Sequence, residues 1–208
     1  MHDRDALLLD AARGERLTRD AYRRDFAQRD RDVVGRSSWK FERRQHFLEL
    51  SNPSWEAFRR GAWEESLALL EGRREGLLKS VQEDLERGNP FYRVRVVQEP
   101  VTPYLQWELH SLRVQAQCGR PVRVVQAEAV SPLETAVILP EVVVLGGQTL
   151  YEVLYTAEGT LDGGVRFTDT RLAQHWEGFI QELYQEGEDV IDYVDRYVAH
   201  LPPPRTKE

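Results

Sequence analysis

In the middle of the chain, the spacing of apolar residues changes from that of a strand to that of a helix and back again. Residues 92–97 alternate apolar and polar side chains, as a strand does, and the leucines of residues 103–118 recur at helical spacing. Residues 121–125 are again typical of a strand. Strand, amphipathic helix and strand in direct succession predict a βαβ unit, with parallel strands and a right-handed crossover.

The C-terminal third predicts a hairpin followed by packing helices. Two apolar segments flank Gly146-Gly147, a pair that is typical of a tight hairpin turn. Asp169 can cap the helix that follows the next strand. We therefore expect an α/β fold, with a mixed sheet of about five or six strands from residue 90 onward. The predicted elements are strands at residues 142–145, 150–155 and 165–167, a helix after Asp169 and a last helix at residues 189–199.

The first ninety residues predict helices and one ambiguous strand. Trp39, Phe41 and Phe47 lie at even spacing, and Arg43 and Gln45 share their side of a strand. A polar inward face indicates either an edge strand or the wall of a polar site, and we expect the edge. The predicted helices are residues 18–30, residues 53–61 with Asn52 as the cap, and one long helix at residues 63–87.

Length and composition favour one compact domain. The chain has 208 residues, of which 41% are hydrophobic and 30% charged, and no internal repeat or long linker divides it. We predict a polar, mainly helical N-terminal extension at residues 1–35, a single α/β domain at residues 36–200 and a proline-rich tail at residues 201–208.

The charge balance excludes a generic binder of nucleic acid or of anionic membranes. The net charge of -7 at pH 7 has the wrong sign for either partner. Residues 1–60 carry 14 basic and 11 acidic side chains, and the remainder carries 14 and 24. A basic segment beside an acidic body could dock onto a partner, and solvated helix faces explain the asymmetry equally well.

Cysteine usage and the first residues indicate a cytoplasmic protein. Cys118 is the only cysteine, which excludes an intramolecular disulfide and a thiolate zinc site. The N-terminal residues lack the apolar core of a signal peptide, and no apolar run has the length of a membrane span. We expect no metal and no cofactor.

The familiar catalytic motifs are missing from the chain. None of the five histidines lies in H-E-x-x-H, and there is no G-x-S-x-G elbow. The pairs Gly146-Gly147 and Gly163-Gly164 lack the spacing and the following helix that a phosphate-binding loop requires. These absences disfavour a standard hydrolase, a zinc enzyme and a Rossmann dehydrogenase, and we predict no catalytic residue.

One dense polar constellation remains, where the strand at residues 92–97 meets the next helix. Arg93 and Arg95 lie on one face of that strand, and ligands bind at the carboxyl ends of parallel strands in open α/β sheets. The candidate ligand-binding residues are Arg93, Arg95, Glu99, Tyr104, Trp107 and Glu108. A structural salt bridge between strand and helix explains the same residues, because ion-pair networks also produce such clusters.

The same constellation leaves an enzymatic alternative open. Glu99 or Glu108 could act as a general acid or base, with Tyr104 or an arginine stabilising developing charge. We expect the neighbouring arginines to lower the pKa of these carboxyls, which suits recognition of anions better than proton transfer near neutrality.

Several segments resemble a known family. The string R-V-R-V-V-x-E-P-x-x-x-Y-L-x-W-E at residues 93–108, together with residues 39–43 and 53–58, resembles the actinobacterial family described as domain of unknown function 6879. The likeness extends from about residue 36 to residue 195. Members are often encoded beside helix-turn-helix regulators, so the resemblance implies a helix-turn-helix transcriptional regulator as a partner. It implies no activity.

A second likeness concerns architecture only. The hairpin after residues 142–145, the strand with Gly163-Gly164 and the aromatic-rich helix after Asp169 are similar to catalytically dead phospholipase D-like sensor domains. The chain lacks the H-x-K motif of the active enzymes. This similarity implies binding and not catalysis.

Three hypotheses about function follow. The first is a non-catalytic accessory or regulatory protein, which binds a small polar ligand or a partner protein in the crevice at the carboxyl end of residues 92–97. The second is an enzyme with an unrecorded carboxylate and arginine site. The third is a pure interaction module, similar to a toxin or an antitoxin, that uses the basic N-terminal segment.

Overall fold

A single eight-stranded mixed sheet organises the computed structural model, which describes residues 4–134 and 137–205. The strands are β1 (Glu15–Thr18), β2 (Ser38–Glu42), β3 (Phe91–Val97), β4 (Val122–Gln126), β5 (Glu141–Leu145), β6 (Thr149–Tyr155), β7 (Leu161–Phe167) and β8 (Glu188–Asp189). The helices are α1 (Arg19–Asp32), α2 (Pro53–Arg59), α3 (Trp63–Glu71), α4 (Arg74–Glu86), α5 (Pro103–Gln117), α6 (Thr170–Glu186) and α7 (Val190–Tyr197). The strands lie in the order β1-β7-β6-β5-β2-β3-β4-β8.

The strand directions confirm the predicted α/β class and its two motifs. β3 and β4 are parallel, with Arg93 opposite Val122, and α5 connects them as the βαβ unit predicts. β5 and β6 form the antiparallel hairpin. Gly146 and Gly147 in its turn have φ of 55° and 66°, a conformation that most residues with a Cβ atom avoid.

Helix α6 covers one face of the sheet. Trp39 and Phe41 of β2 point toward it, and Phe41 contacts Trp176 and Phe179 at ring-centroid distances of 6.0 and 5.7 Å. Asp169 caps α6, since its carboxylate accepts hydrogen bonds from the backbone N–H groups of Arg171 and Leu172. This face is therefore a continuous apolar core under a single amphipathic helix.

Two separate apolar clusters lie on the opposite face. Near the β5, β6 and β7 strands, α1 packs Tyr22 against Tyr151. Near β3 and β4, the helices α2, α5 and α7 bury residues such as Trp55, Leu109 and Val194. The middle of this face, over β2, lies between the two clusters.

A partly buried ion network holds α1 on the sheet. The Asp25 carboxylate accepts hydrogen bonds from the Tyr151 hydroxyl and from Arg166, each at 2.6 Å, and it pairs with Arg29 at 3.1 Å. The pKa of Asp25 is lowered, because these hydrogen bonds and the arginine charges outweigh its partial burial. The position of α1 over β6 and β7 is thus specified by charge as well as by Tyr22.

The predicted edge strand at residues 38–47 was wrong. β2 ends at Glu42 and lies inside the sheet, antiparallel to β5 on one side and parallel to β3 on the other. Phe47 packs in a different cluster from Trp39 and Phe41. The edge was expected because Arg43 and Gln45 share the side of Trp39 and Phe41 in a strand, whereas in the fold the strand ends before both polar residues.

The predicted long helix at residues 63–87 was also wrong, because it is two helices. Gly72 ends α3, and α4 begins at Arg74. The apolar period is interrupted by Glu71-Gly72-Arg73-Arg74-Glu75 and resumes afterwards, so the two halves resembled one element. No helix in residues 4–134 and 137–205 is long and apolar enough to cross a membrane.

The N-terminal residues contribute to the sheet. β1 pairs with β7 at one edge, which the sequence did not predict, and Leu7 lies in the core under α6. α1 confirms the predicted helix at residues 18–30. The division of the chain at residue 35 stays a prediction.

Candidate functional site

A row of charged side chains occupies the middle of the sheet face between the two apolar clusters. Trp39 and Phe41 point toward α6, so the alternating residues Lys40 and Glu42 point the other way. The same alternation puts the neighbouring charged residues of β3 and β5 on that face. We call this set the polar seam: Lys40, Glu42, Arg93, Arg95 and Glu141 from the strands and Glu108 from α5.

Arg95 is the centre of the polar seam and is fully buried. Its Nε donates to Glu108 Oε2 at 2.8 Å, and its Nη1 donates to the carbonyl oxygens of Glu42 at 3.2 Å and Val96 at 3.1 Å. Nη2 has no hydrogen-bond partner among the described residues. The guanidinium also lies 5.8 Å from the ring centroid of Phe47. The predicted salt bridge between strand and helix therefore exists, deep in the domain.

Glu42 is held by two cations from neighbouring positions. Its Oε1 lies 2.5 Å from Lys40 Nζ, and its Oε2 lies 3.4 Å from Arg93 Nη1. Burial raises the pKa of this carboxyl, but Arg93, Lys40 and Arg95 outweigh burial and lower it to about 2. Glu42 therefore stays ionised near neutral pH and lies between Lys40 on one side and Arg93 and buried Arg95 on the other.

Glu141 has the opposite balance. Its Oε1 accepts hydrogen bonds from the backbone N–H groups of Arg43 at 2.8 Å and Arg44 at 2.6 Å. Burial and the negative charge of Glu42 raise its pKa to about 7, against the opposing effect of Arg95. This carboxyl thus changes its charge near neutrality.

The expectation of a lowered pKa for Glu108 was wrong. Burial raises the pKa of this carboxyl, and the Glu42 charge adds to the rise, although Arg95 acts in the opposite direction. The sequence shows the charges near Glu108 but not its burial, and burial is the larger effect on this pKa.

The loop at residues 43–52 fills the crevice predicted at the carboxyl end of β3. Gln45 Nε2 donates to Val96 O at 2.9 Å, and Gln45 Oε1 accepts from the backbone N–H of Gln98 at 2.8 Å. The Thr102 hydroxyl donates to Gln45 O at 3.1 Å. Gln45 therefore bonds to the end of β3 through its side chain and to Thr102 at the start of α5 through its main-chain carbonyl, at the point where the sequence predicts the crevice.

Four of the six predicted binding residues lie close together, because Tyr104 lies within reach of the charges of Arg95 and Glu108. Arg93, Arg95 and Glu108 belong to the polar seam. The Tyr104 hydroxyl donates to Glu49 Oε1 at 3.2 Å, and the Trp107 indole donates to the Ser54 hydroxyl at 2.9 Å inside the core. Glu99 is exposed after the end of β3. A ligand-binding role for these six residues stays a prediction.

An open cavity of about 420 Å³ adjoins the polar seam, between α1 and the loop at residues 43–52. Lys40 belongs to both, so the Lys40–Glu42 ion pair connects the cavity to the buried arginines. We call it the basic cavity. It is lined by Arg19, Arg23, Lys40, Phe47, Leu48, Glu49, Leu50, Ser51, Tyr155, Thr160 and Leu161.

Sequence reasoning missed most residues of this region. Lys40 and Glu42 alternate with aromatic residues, which was a signal for a polar face on that strand. Glu141 directly precedes an apolar run, and nothing in the sequence places it beside Glu42. Among residues 4–134 and 137–205, no three His, Cys, Asp or Glu side chains form a group that could hold a metal ion.

Comparison with known proteins assigns a family and no more. No curated protein matches the chain. A family model with the description domain of unknown function (DUF6879) matches residues 24–195, which include every strand except β1 and most of every helix. The chain therefore belongs to the DUF6879 family.

Proposed function

We propose that this domain binds a small anionic ligand in the basic cavity without transforming it. The observation that carries this proposal is the charge of the lining: three cations, Arg19, Arg23 and Lys40, face one carboxylate, Glu49. A volume of about 420 Å³ lies in the range of small-molecule sites. The proposal keeps the predicted class of function, which is binding of a small polar ligand without catalysis. It puts the ligand beside Lys40 in the basic cavity and not in the crevice predicted at the carboxyl end of β3.

The cations of the cavity are available to a ligand to different degrees. Arg19 and Arg23 are four residues apart on α1, so they lie side by side on one flank of the helix. Arg23 is exposed and has no ion pair within the described part of the chain, and Arg19 pairs with exposed Asp20 at 3.5 Å. Lys40 is mostly buried and already bonded to Glu42. Arg23 is therefore the cation that a bound anion gains most from.

The backbone of the cavity wall supports a binding role. Ser51 has φ of 65°, which makes it the one non-glycine residue with positive φ in residues 4–134 and 137–205. Strain of this kind persists where surrounding structure holds the backbone, and it concentrates at ligand-binding loops. Ser51 lies on the loop that forms one side of the basic cavity.

The carboxylates near the cavity favour binding over catalysis. Glu49 accepts the Tyr104 hydroxyl, Glu42 is paired with Lys40, and Glu108 is paired with Arg95. A general acid or base needs a proton that it can exchange with a substrate. Each of these groups instead holds a fixed partner, which supports recognition of charge.

Titration with inorganic phosphate, followed by NMR of the ¹⁵N-labelled protein at constant ionic strength, tests the proposal. We expect saturable shifts of the amide signals of Arg23, Glu49 and Thr160. Arg23→Ala weakens the affinity about ten-fold, the worth of one charge-assisted hydrogen bond. Arg24→Ala is the matched control, because Arg24 is exposed on the same helix but points about 100° away.

Two results of this titration would reject anion binding in the cavity. One is the absence of any saturable shift in the wild type. The other is an equal loss of affinity in Arg23→Ala and Arg24→Ala, because the effect would then come from net charge and not from the cavity.

The remaining hypotheses about function have no separate support. Partnership with a helix-turn-helix regulator stays a prediction from the family resemblance. A regulatory role stays a prediction too, as does a pure interaction module that uses the basic N-terminal segment.

A further inference from the structure

We infer that the ligand of the basic cavity is an organic phosphate monoester with an apolar body, an inference that rests on the proposed function. Inorganic anions would use only one side of the cavity. Apolar residues also line the cavity, and one of them, Leu50, is largely open to solvent, so the cationic and the apolar residues together select a molecule with both properties.

The apolar side of the cavity comes from two segments far apart in the chain. Leu48 and Leu50 lie on the loop at residues 43–52, while Tyr155 and Leu161 lie at the end of β6 and the start of β7. The Tyr155 ring lies 4.6 Å from the ring of buried Phe47, which gives this side a fixed aromatic base. Leu50 is 54% exposed although it lines a cavity. A ligand body placed here would remove that leucine from water.

The charge of the lining matches a dianion. Arg19 and Arg23 supply two positive charges for a head group, because the charge of Lys40 is already paired with Glu42. A phosphate monoester carries about 1.5 to 2 negative charges near neutrality, whereas a longer polyphosphate chain would bring excess negative charge against Glu49. The paired guanidinium groups of Arg19 and Arg23 also suit the three oxygens of a phosphate better than ammonium groups would.

The volume of the cavity is consistent with a head group and a body. About 420 Å³ is several times the space that a phosphate group fills, and small-molecule sites of this size enclose most of an organic ligand. The cationic side and the apolar side face the same space, so a single molecule can contact both at once.

Methyl phosphate and hexyl phosphate form a matched pair of probes, because they share a head group and differ by five methylenes. One buried methylene tightens binding roughly four-fold, so burial of half of the added chain predicts about thirty-fold tighter binding of hexyl phosphate. Leu50→Ser is expected to weaken hexyl phosphate about five-fold and to leave methyl phosphate unchanged. Leu78→Ser is the control, because Leu78 is also 54% exposed but lies on α4, away from the cavity.

The results separate this inference from the proposed function. Equal affinities for methyl and hexyl phosphate, both weakened by Arg23→Ala, would overturn the apolar body and leave anion binding in place. Equal effects of Leu50→Ser and Leu78→Ser on hexyl phosphate would also overturn it. Binding to vesicles that contain phosphatidylglycerol, without binding to hexyl phosphate, would overturn it in favour of a membrane surface.

Discussion

Replacing Glu141 by glutamine is expected to remove a large part of the pH dependence of stability. Glu141 is buried at the start of β5, and its Oε1 accepts two backbone hydrogen bonds from residues 43 and 44. A glutamine of the same shape keeps an oxygen for these donors and cannot ionise. The substitution therefore tests the charge of this carboxyl with little change in packing.

The magnitude follows from the difference in pKa between the folded and unfolded states. Burial and Glu42 raise the pKa of Glu141 from its ordinary 4.5 to about 7. A raised pKa means that the folded protein binds the proton more tightly, so the stabilisation is complete below the unfolded value and is lost as pH rises through the folded value. At 1.36 kcal/mol per pKa unit, the loss of unfolding free energy is roughly 3 kcal/mol across this window.

Glu42 does not cancel this effect in the same window. Its pKa is lowered to about 2, mainly by Arg93 and Lys40 against the effect of burial. The stability that it contributes is present above its unfolded value and is lost only as pH falls through the folded value. Glu42 thus acts at acid pH, below the range in which Glu141 acts.

Urea unfolding of the wild type and of Glu141→Gln, at about pH 5 and about pH 8, measures the effect. We expect the free energy of unfolding of the wild type to fall by roughly 2 to 3 kcal/mol relative to the variant between these two conditions. Glu83→Gln, at an exposed position of α4, serves as the control for a generic loss of one negative charge. If Glu141→Gln retained the full pH dependence of the wild type, our account of this carboxyl would be wrong.

Two further predictions concern the fold. Arg95→Met leaves Glu108 buried without its partner and is expected to lower the free energy of unfolding by about 3 kcal/mol or more. Adding Glu108→Leu is expected to restore much of this loss. Urea unfolding of the single and the double variant checks the prediction, and equal stability of the two variants would refute it. Asn52→Ala removes the side chain that accepts hydrogen bonds from the backbone N–H groups of Ser54 and Trp55, so we expect the free energy of unfolding to fall by about 1 kcal/mol. An unchanged urea midpoint would contradict the role of this cap.

The sequence was sufficient for the elements whose signals are local. The hairpin at Gly146-Gly147 and the caps at Asn52 and Asp169 depend on residues within a few positions of one another, and the βαβ unit joins three elements that follow one another directly in the chain. Periodicity and capping chemistry act over one or two turns, so they can be recognised without knowledge of the rest of the fold.

The position of β2 could not be derived in this way. Pairing of Ser38–Glu42 with β3 on one side and β5 on the other joins residues that are about fifty and about one hundred positions apart. Strand pairing over such distances depends on the whole core and leaves no local signal. Because this insertion was unknown, the polar residues Arg43 and Gln45 indicated an edge strand.

The candidate site depends on the same tertiary arrangement. Arg93, Arg95 and Glu108 could be grouped from sequence, since one short strand and the next helix carry them. Glu141 joined them only when β5 packed against β2, and the basic cavity formed only when α1 and the loop at residues 43–52 met across the sheet. Burial then reversed the direction expected for the pKa of Glu108, because removal from water depends on every element packed around a carboxyl and not on its neighbours in the chain.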